Sequence, residues 1–160
     1  MRTAEDITAL LEQVKDPEIP VISIRELGVL RNVSVDEDRV EVTITPTYSG
    51  CPAMDFMRLE VERTLREAGV ERFTVHQALS PAWTTDWISE EGRKKLLDFG
   101  IAPPPSSADI RALKGTAPAI ACPLCGSTDT TLVSHFGSTA CKALYKCNAC
   151  KEPFDHFKCH

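Results

Sequence analysis

The sequence predicts a domain of helices and short strands over residues 1–100 and a zinc-ribbon-like β module over residues 122–160. Helical spacing and two-residue alternation of apolar side chains predict the first part. Paired cysteines predict the second, since six of the seven cysteines follow residue 121. Residues 101–121, rich in proline, serine and alanine, are typical of a linker between the two.

Two helices are predicted in the first part. Thr3 is a suitable N-cap for an amphipathic helix over residues 4–15, which ends because Asp16 precedes a proline. A second helix follows Pro52 and ends at Gly69. Its apolar positions recur at helical spacing: Met54, Met57, Val61, Leu65 and Ala68.

Three strands are predicted between and after these helices. Val33 and Val35, then Val40, Val42 and Ile44, alternate with polar residues and predict a β-hairpin around residues 36–38. A third strand is predicted at residues 73–77 by the same alternation.

Both tryptophans of the chain follow within residues 81–88, a segment without helical spacing. Such a segment either packs its aromatic side chains on the core or exposes them to a partner. Ser89 then caps a short predicted helix that ends at Gly100.

Cys51 is predicted at the N-terminus of the second helix. Unpaired backbone N–H groups and the helix dipole favour an anion there, which predicts a depressed thiol pKa and a better metal ligand or nucleophile. The alternative is a small buried apolar side chain. The stiff loop of residues 16–20 carries Asp16 and Glu18, and it is either a solvated turn or the frame of a site.

The tail holds two Cys-x-x-Cys pairs, Cys122 with Cys125 and Cys147 with Cys150. Four thiolates from two such turns form a tetrahedral metal site, with zinc as the first expectation and iron or an iron–sulfur cluster as the alternative. A disulfide framework is disfavoured because residues 1–6 do not resemble a secretion signal, so the chain is expected to be cytoplasmic. Candidate additional ligands are Cys141, Cys159 and His160.

The sequence argues against several other classes of protein. The net charge of −5 argues against a nucleic-acid-binding protein, and no apolar window is long enough to span a membrane. An enzyme with Cys51 as nucleophile lacks an evident base, since His76 is the only histidine outside the tail.

Three stretches of the chain resemble a known family. Residues 16–20 (DPEIP), 24–28 (IRELG) and 45–52 (TPTYSGCP) are similar to the iron–sulfur cluster assembly domain of SufT-type proteins. The segment of residues 81–88, the turn at 136–139 and the run at 141–145, with the cysteine pairs, resemble the PaaD family. Members of that family are small accessory subunits of the bacterial phenylacetyl-CoA epoxidase system.

The resemblance implies an α+β domain with helices packed on a small mixed or antiparallel sheet. It implies a non-catalytic role in maturing the iron centres of the epoxidase, with Cys51 as the transfer cysteine and Asp16 and Glu18 beside it. The expected partners are the ferredoxin-like reductase subunit or the di-iron oxygenase subunit.

One cysteine cannot complete the four ligands of a [2Fe–2S] cluster. Cys51 would therefore share a transient cluster with a second copy of the chain, a partner, the tail cysteines or glutathione. The alternative to an assembly factor is an interaction module with a purely structural zinc, in which Cys51 only packs.

Overall fold

The computed structural model describes residues 2–106 and 119–158, and these form two compact units, Met1–Trp83 and Thr84–His160. The sequence placed residues 84–100 in the first domain, whereas the structure places them in the second unit. The boundary between the units depends on tertiary contacts, and the spacing of apolar residues along the sequence does not predict these contacts.

The first unit contains two helices and a three-stranded sheet. Its elements in chain order are α1 (Ala4–Leu11), β1 (Leu30–Asp36), β2 (Arg39–Ile44), α2 (Ala53–Glu67) and β3 (Arg72–Gln77). Thr3 caps α1 in a capping box with Asp6, and Gly69 follows α2 with φ = 78°. Both helices and the hairpin are as predicted, although α1 ends four residues earlier, at Leu11.

The sheet is mixed, with the order β1-β2-β3. β1 and β2 are an antiparallel hairpin, and β3 lies parallel to β2 with Ile44 opposite Gln77. Because parallel neighbours need a crossover, α2 connects the carboxyl end of β2 to the start of β3. The N-terminus of α2 therefore lies at the sheet end where β2 and β3 finish.

The core of the first unit is aliphatic. It includes Ile7 and Leu11 of α1, and Met57 and Leu65 of α2, each at most 1% exposed. Trp83 is also buried, and its indole N–H donates to the carbonyl oxygen of Leu27 at 2.9 Å. Trp83 therefore packs on this core, one of the two outcomes expected for the tryptophan segment.

The second unit begins with a short 3-10 helix, Thr85–Trp87, followed by α3 (Glu90–Asp98) and β4 (Ile101–Ala102). The Ser89 side chain caps α3 as predicted. The Arg93 guanidinium donates to the carbonyl oxygens of Thr85 at 2.7 Å and Pro104 at 2.5 Å. These bonds tie the segments before and after α3 to the helix.

The ribbon sheet has the order β4-β7-β6-β5, with β5 (Thr130–Ser134), β6 (Lys142–Cys147) and β7 (Pro153–Phe157). β5 and β7 each pair antiparallel with β6, and β4 lies parallel to β7. The first two residues of the predicted linker are thus a buried strand of the ribbon. Residues 107–118 of that linker lie outside the described chain.

Within the described ranges, no helix combines the length and the apolar character that crossing a bilayer requires.

Candidate functional sites

Cys51 lies in a tight turn between β2 and α2. Its backbone N–H donates to the carbonyl oxygen of Tyr48 at 3.3 Å, and Gly50 adopts φ = 80°, which glycine reaches without strain. The Met54 N–H then donates to the Cys51 carbonyl oxygen at 3.2 Å. The turn presents the half-buried thiol at the N-terminal end of α2.

Asp16 shapes the acidic loop. Its carboxylate accepts the backbone N–H groups of Glu18 at 2.8 Å and Ile19 at 2.9 Å, and its own N–H donates to the Ile22 carbonyl oxygen. These bonds account for the burial of Asp16, which is only 7% exposed. The charges of Asp16 and Glu18 act on Cys51, so the structure brings the three predicted residues to one place.

The pKa of the Cys51 thiol is raised, mainly because burial disfavours the thiolate. Hydrogen bonds from the Ala53 backbone N–H and the Tyr48 side chain lower this pKa, and the carboxylates of Glu18 and Asp16 raise it. The predicted depression of the pKa is therefore wrong. Burial and two negative charges outweigh the helix N-terminus, so a metal must displace a proton to bind this sulfur.

Tyr48 is a site residue that the sequence analysis missed. Its side chain hydrogen bonds to the Cys51 sulfur, and its backbone carbonyl oxygen accepts the Cys51 N–H that closes the turn. The signal was present in residues 48–51, Tyr-Ser-Gly-Cys, because glycine at the third position predicts such a turn.

The second site is the cluster of four cysteines in the ribbon. The sulfur atoms of Cys122, Cys125, Cys147 and Cys150 all lie within 4.8 Å of one another. Cys122 and Cys150 are 3.8 Å apart, and Cys125 and Cys147 are 3.5 Å apart. A tetrahedron with metal–sulfur bonds of about 2.3 Å has sulfur–sulfur edges of about 3.8 Å, so the four side chains fit a single tetrahedral ion.

Two similar turns hold these sulfurs. In the first, the Gly126 N–H donates to the Cys122 carbonyl oxygen at 2.8 Å, and Gly126 has φ = 77°. In the second, Lys151 takes the equivalent position with φ = 70°. A lysine seldom adopts this backbone conformation, so the second turn carries strain that the first avoids.

The four thiols cannot all ionise without a cation. The pKa of Cys147 is lowered to about 7, mainly because its sulfur accepts a hydrogen bond from the backbone N–H of Cys150. The Glu152 backbone N–H lowers the pKa of Cys150, but burial and the three neighbouring sulfurs outweigh it and raise the value to about 12. A bound cation removes this conflict by favouring all four thiolates.

The additional candidate ligands are placed differently. Cys141 is buried beside Thr139, with its sulfur 3.1 Å from the hydroxyl oxygen, and it is not a member of the four-sulfur group. Cys159 and His160 lie outside the described residues.

Two cavities of the first unit lie away from Cys51. They have volumes of about 430 and 770 Å³, and both reach Gly69 and Val70 beyond the C-terminal end of α2. A helix of 15 residues spans about 22 Å, which separates these cavities from the Cys51 turn.

Two known protein families match the chain, one in its first part and the other in its ribbon. The family described as iron-sulfur cluster assembly protein matches residues 4–78, and the PaaD zinc beta ribbon domain matches residues 106–158. A protein of Escherichia coli (strain K12), named as one of the subunits of 1,2-phenylacetyl-CoA epoxidase, is 46% identical over 96% of this chain and 92% of its own length. The chain belongs to the PaaD family.

Other relatives match the first part of this PaaD-family chain. A protein of Porphyromonas gingivalis (strain ATCC BAA-308 / W83), named Fe-S protein maturation auxiliary factor, is 39% identical over 60% of this chain and 92% of its own length. The crystal structure of a domain of unknown function from Bacillus anthracis is 28% identical and aligns with a TM-score of 0.54. It covers 58% of this chain and 90% of its own, which confirms the α+β fold.

Proposed function

We propose that this PaaD-family chain is a non-catalytic maturation factor that supplies an iron–sulfur or iron centre to the multicomponent phenylacetyl-CoA epoxidase of aerobic phenylacetate degradation. The client is the ferredoxin-like reductase subunit or the di-iron oxygenase subunit. The names of the relatives support this role, because one is an epoxidase subunit and another an Fe-S maturation factor.

The observation that carries the proposal is the incomplete ligand set at Cys51. One half-buried sulfur lies beside Asp16 and Glu18, in the part of the chain that matches the assembly family. A single thiolate leaves most positions on an iron or cluster to other ligands. An iron or iron–sulfur centre held in this way, here called the cargo, is easily released, which suits delivery to a client better than storage.

The carboxylates favour a cationic cargo. Asp16 and Glu18 raise the pKa of Cys51 because they repel the thiolate, and a metal cation reverses this effect. The same charges attract an iron centre before Cys51 loses its proton.

The four-cysteine site has a separate role in this proposal. It holds one zinc ion that stabilises the ribbon and does not exchange with the client. The sulfur spacing supports one ion, because thiolates bound to different irons of a cluster would be spread further apart.

The test is a Cys51→Ser strain grown on phenylacetate. We expect the epoxidase polypeptides at normal abundance but with iron content and activity reduced at least tenfold, measured on the purified subunits. A strain with Cys141→Ser is the matched control, because Cys141, like Cys51, is a cysteine outside the four-sulfur group. Normal iron occupancy in the Cys51→Ser strain would refute the proposal.

A scaffold with a purely structural zinc is the second candidate function. The ribbon favours it through exposed apolar side chains, with Val133 58% and Phe136 66% exposed. Under this alternative Cys51→Ala is silent, whereas Val133→Ser combined with Phe136→Ser releases the epoxidase subunits in a co-purification assay.

A further inference from the structure

The solvent face of α2 has two halves of different character. Its second half is charged and paired within the helix, with Arg63 to Glu60 at 2.6 Å and Arg66 to Glu62 at 3.0 Å. The one basic residue of the first half, Arg58, also pairs with Glu62, at 3.2 Å. Its first half, next to Cys51, exposes Phe56 at 48% and Leu59 at 55%. Phe56 and Leu59 are three positions apart, so they are neighbours on the helix surface, and neighbouring exposed apolar side chains are more informative than single scattered ones.

The sheet topology brings another exposed apolar side chain to the same end. β3 is parallel to β2, and the Ala78 N–H donates to the Ile44 carbonyl oxygen at 2.9 Å. Leu79 therefore follows β3 at the sheet end from which the Cys51 turn departs, and it is 62% exposed. We call Phe56, Leu59 and Leu79 the apolar patch.

We propose that the apolar patch is the docking site for the metal-free form of the protein that receives the cargo of Cys51. This inference rests on the proposed function, since it places the client where the transfer cysteine can reach it. The first turns of α2 begin two residues after Cys51, so a protein bound to them lies beside the thiol.

The chemistry of the surroundings defines the kind of partner. Asp55 is exposed on the first turn of α2, and Glu18 acts on Cys51 by its charge. Apolar side chains with neighbouring carboxylates fit a segment that carries apolar residues and lysine or arginine. Because metal binding is coupled to folding, a metalloprotein without its metal is less completely folded and can expose apolar segments that the metal-bound form buries.

The experiment measures binding of the full chain to the metal-free oxygenase and reductase subunits of phenylacetyl-CoA epoxidase, by titration calorimetry. We expect Phe56→Ser combined with Leu59→Ser to raise Kd at least tenfold. Phe99→Ser is the matched control, because Phe99 is 51% exposed in the second unit, and its Kd should stay within twofold of wild type. Leu79→Ser tests the patch from a different element and should raise Kd at least threefold.

These variants separate binding of the client at the apolar patch from transfer of the metal centre by Cys51. Cys51→Ser should bind the subunits with the wild-type Kd, so a failure of transfer at Cys51 leaves the docking site intact. Wild-type binding by the double variant, or by Leu79→Ser, would overturn the inference. It would also be overturned if neither subunit binds the wild-type chain, or if the double variant instead converts a dimer of this chain into a monomer in sedimentation.

Discussion

The two units use cysteine sulfur in opposite ways. The ribbon collects four sulfurs within 4.8 Å, which is a complete donor set for one ion. The first unit presents one half-buried sulfur next to two carboxylates, which is an incomplete set. Under the proposed function, the complete set holds a metal permanently and the incomplete set holds one only until another protein supplies better ligands.

The units also differ in how they are stabilised. Of the twelve largest fully buried side chains among the described residues, ten belong to the first unit and two, Leu96 and Phe157, to the second. The buried cluster around Cys122 and Cys147 is small and includes the metal-site sulfurs themselves. We therefore expect the first unit to fold on its apolar core and the second to depend on a metal bound by its four cysteines.

The largest expected effect comes from breaking the four-sulfur site. Cys147→Ala should abolish stoichiometric zinc binding and the cooperative unfolding of the second unit, because structural zinc contributes on the order of 10 kcal/mol to such modules. Metal analysis and differential scanning calorimetry measure both. Cys51→Ala is the control and should retain the zinc, so zinc loss in that variant would contradict the separation of the two sites.

A substitution in the apolar core should destabilise the first unit and leave the second unchanged. Leu65 is fully buried in α2, and Leu65→Ala should reduce the free energy of unfolding of the first unit by about 2–5 kcal/mol. The transition of the second unit and the zinc content should not change. Added chelator should shift only the second transition, and a chelator-dependent shift of the first would contradict the comparison.

The smallest expected effect concerns the charge near Cys51. Glu18 raises the pKa of this thiol, so Glu18→Gln should lower it and increase the fraction of thiolate at a given pH. We expect the rate of alkylation of Cys51 by iodoacetamide at pH 8 to rise about two- to fivefold, because the thiolate is the reacting form. Glu12→Gln is the control, as Glu12 is an exposed residue that is not among the causes of the Cys51 shift. An unchanged or slower rate for Glu18→Gln would show that this carboxylate does not act on the thiol.

Local patterns predicted most elements of the fold. The hairpin, α2 and α3 follow from alternation, helical spacing and end signals that lie within a few residues of each element. β4 was missed because Ile101 and Ala102 lie in a proline-rich stretch, and only pairing with Asp155 and His156 makes them a strand. Such pairing joins residues more than fifty positions apart, and no local pattern records it.

The same limit applies to the two cysteine sites: local patterns predict what depends on nearby residues and miss what depends on distant ones. The spacing of the four cysteines predicted their convergence, because each pair is a local turn and zinc ribbons join two such turns. The sign of the pKa shift at Cys51 could not be predicted from its position on α2. It depends mainly on burial, and also on the charge of Glu18, which belongs to a loop more than thirty residues earlier in the chain.

The crossover between β2 and β3 restrains the Cys51 turn mechanically. The two strands pair over six positions, and the turn with α2 is the chain between them. Because both ends of this crossover are held in the sheet, Cys51 can move only as far as residues 45–52 allow while the ladder stays paired. The amides of β2 should accordingly exchange with deuterium slowly whether or not a client is present, and under the proposed function the client has to come to the cysteine.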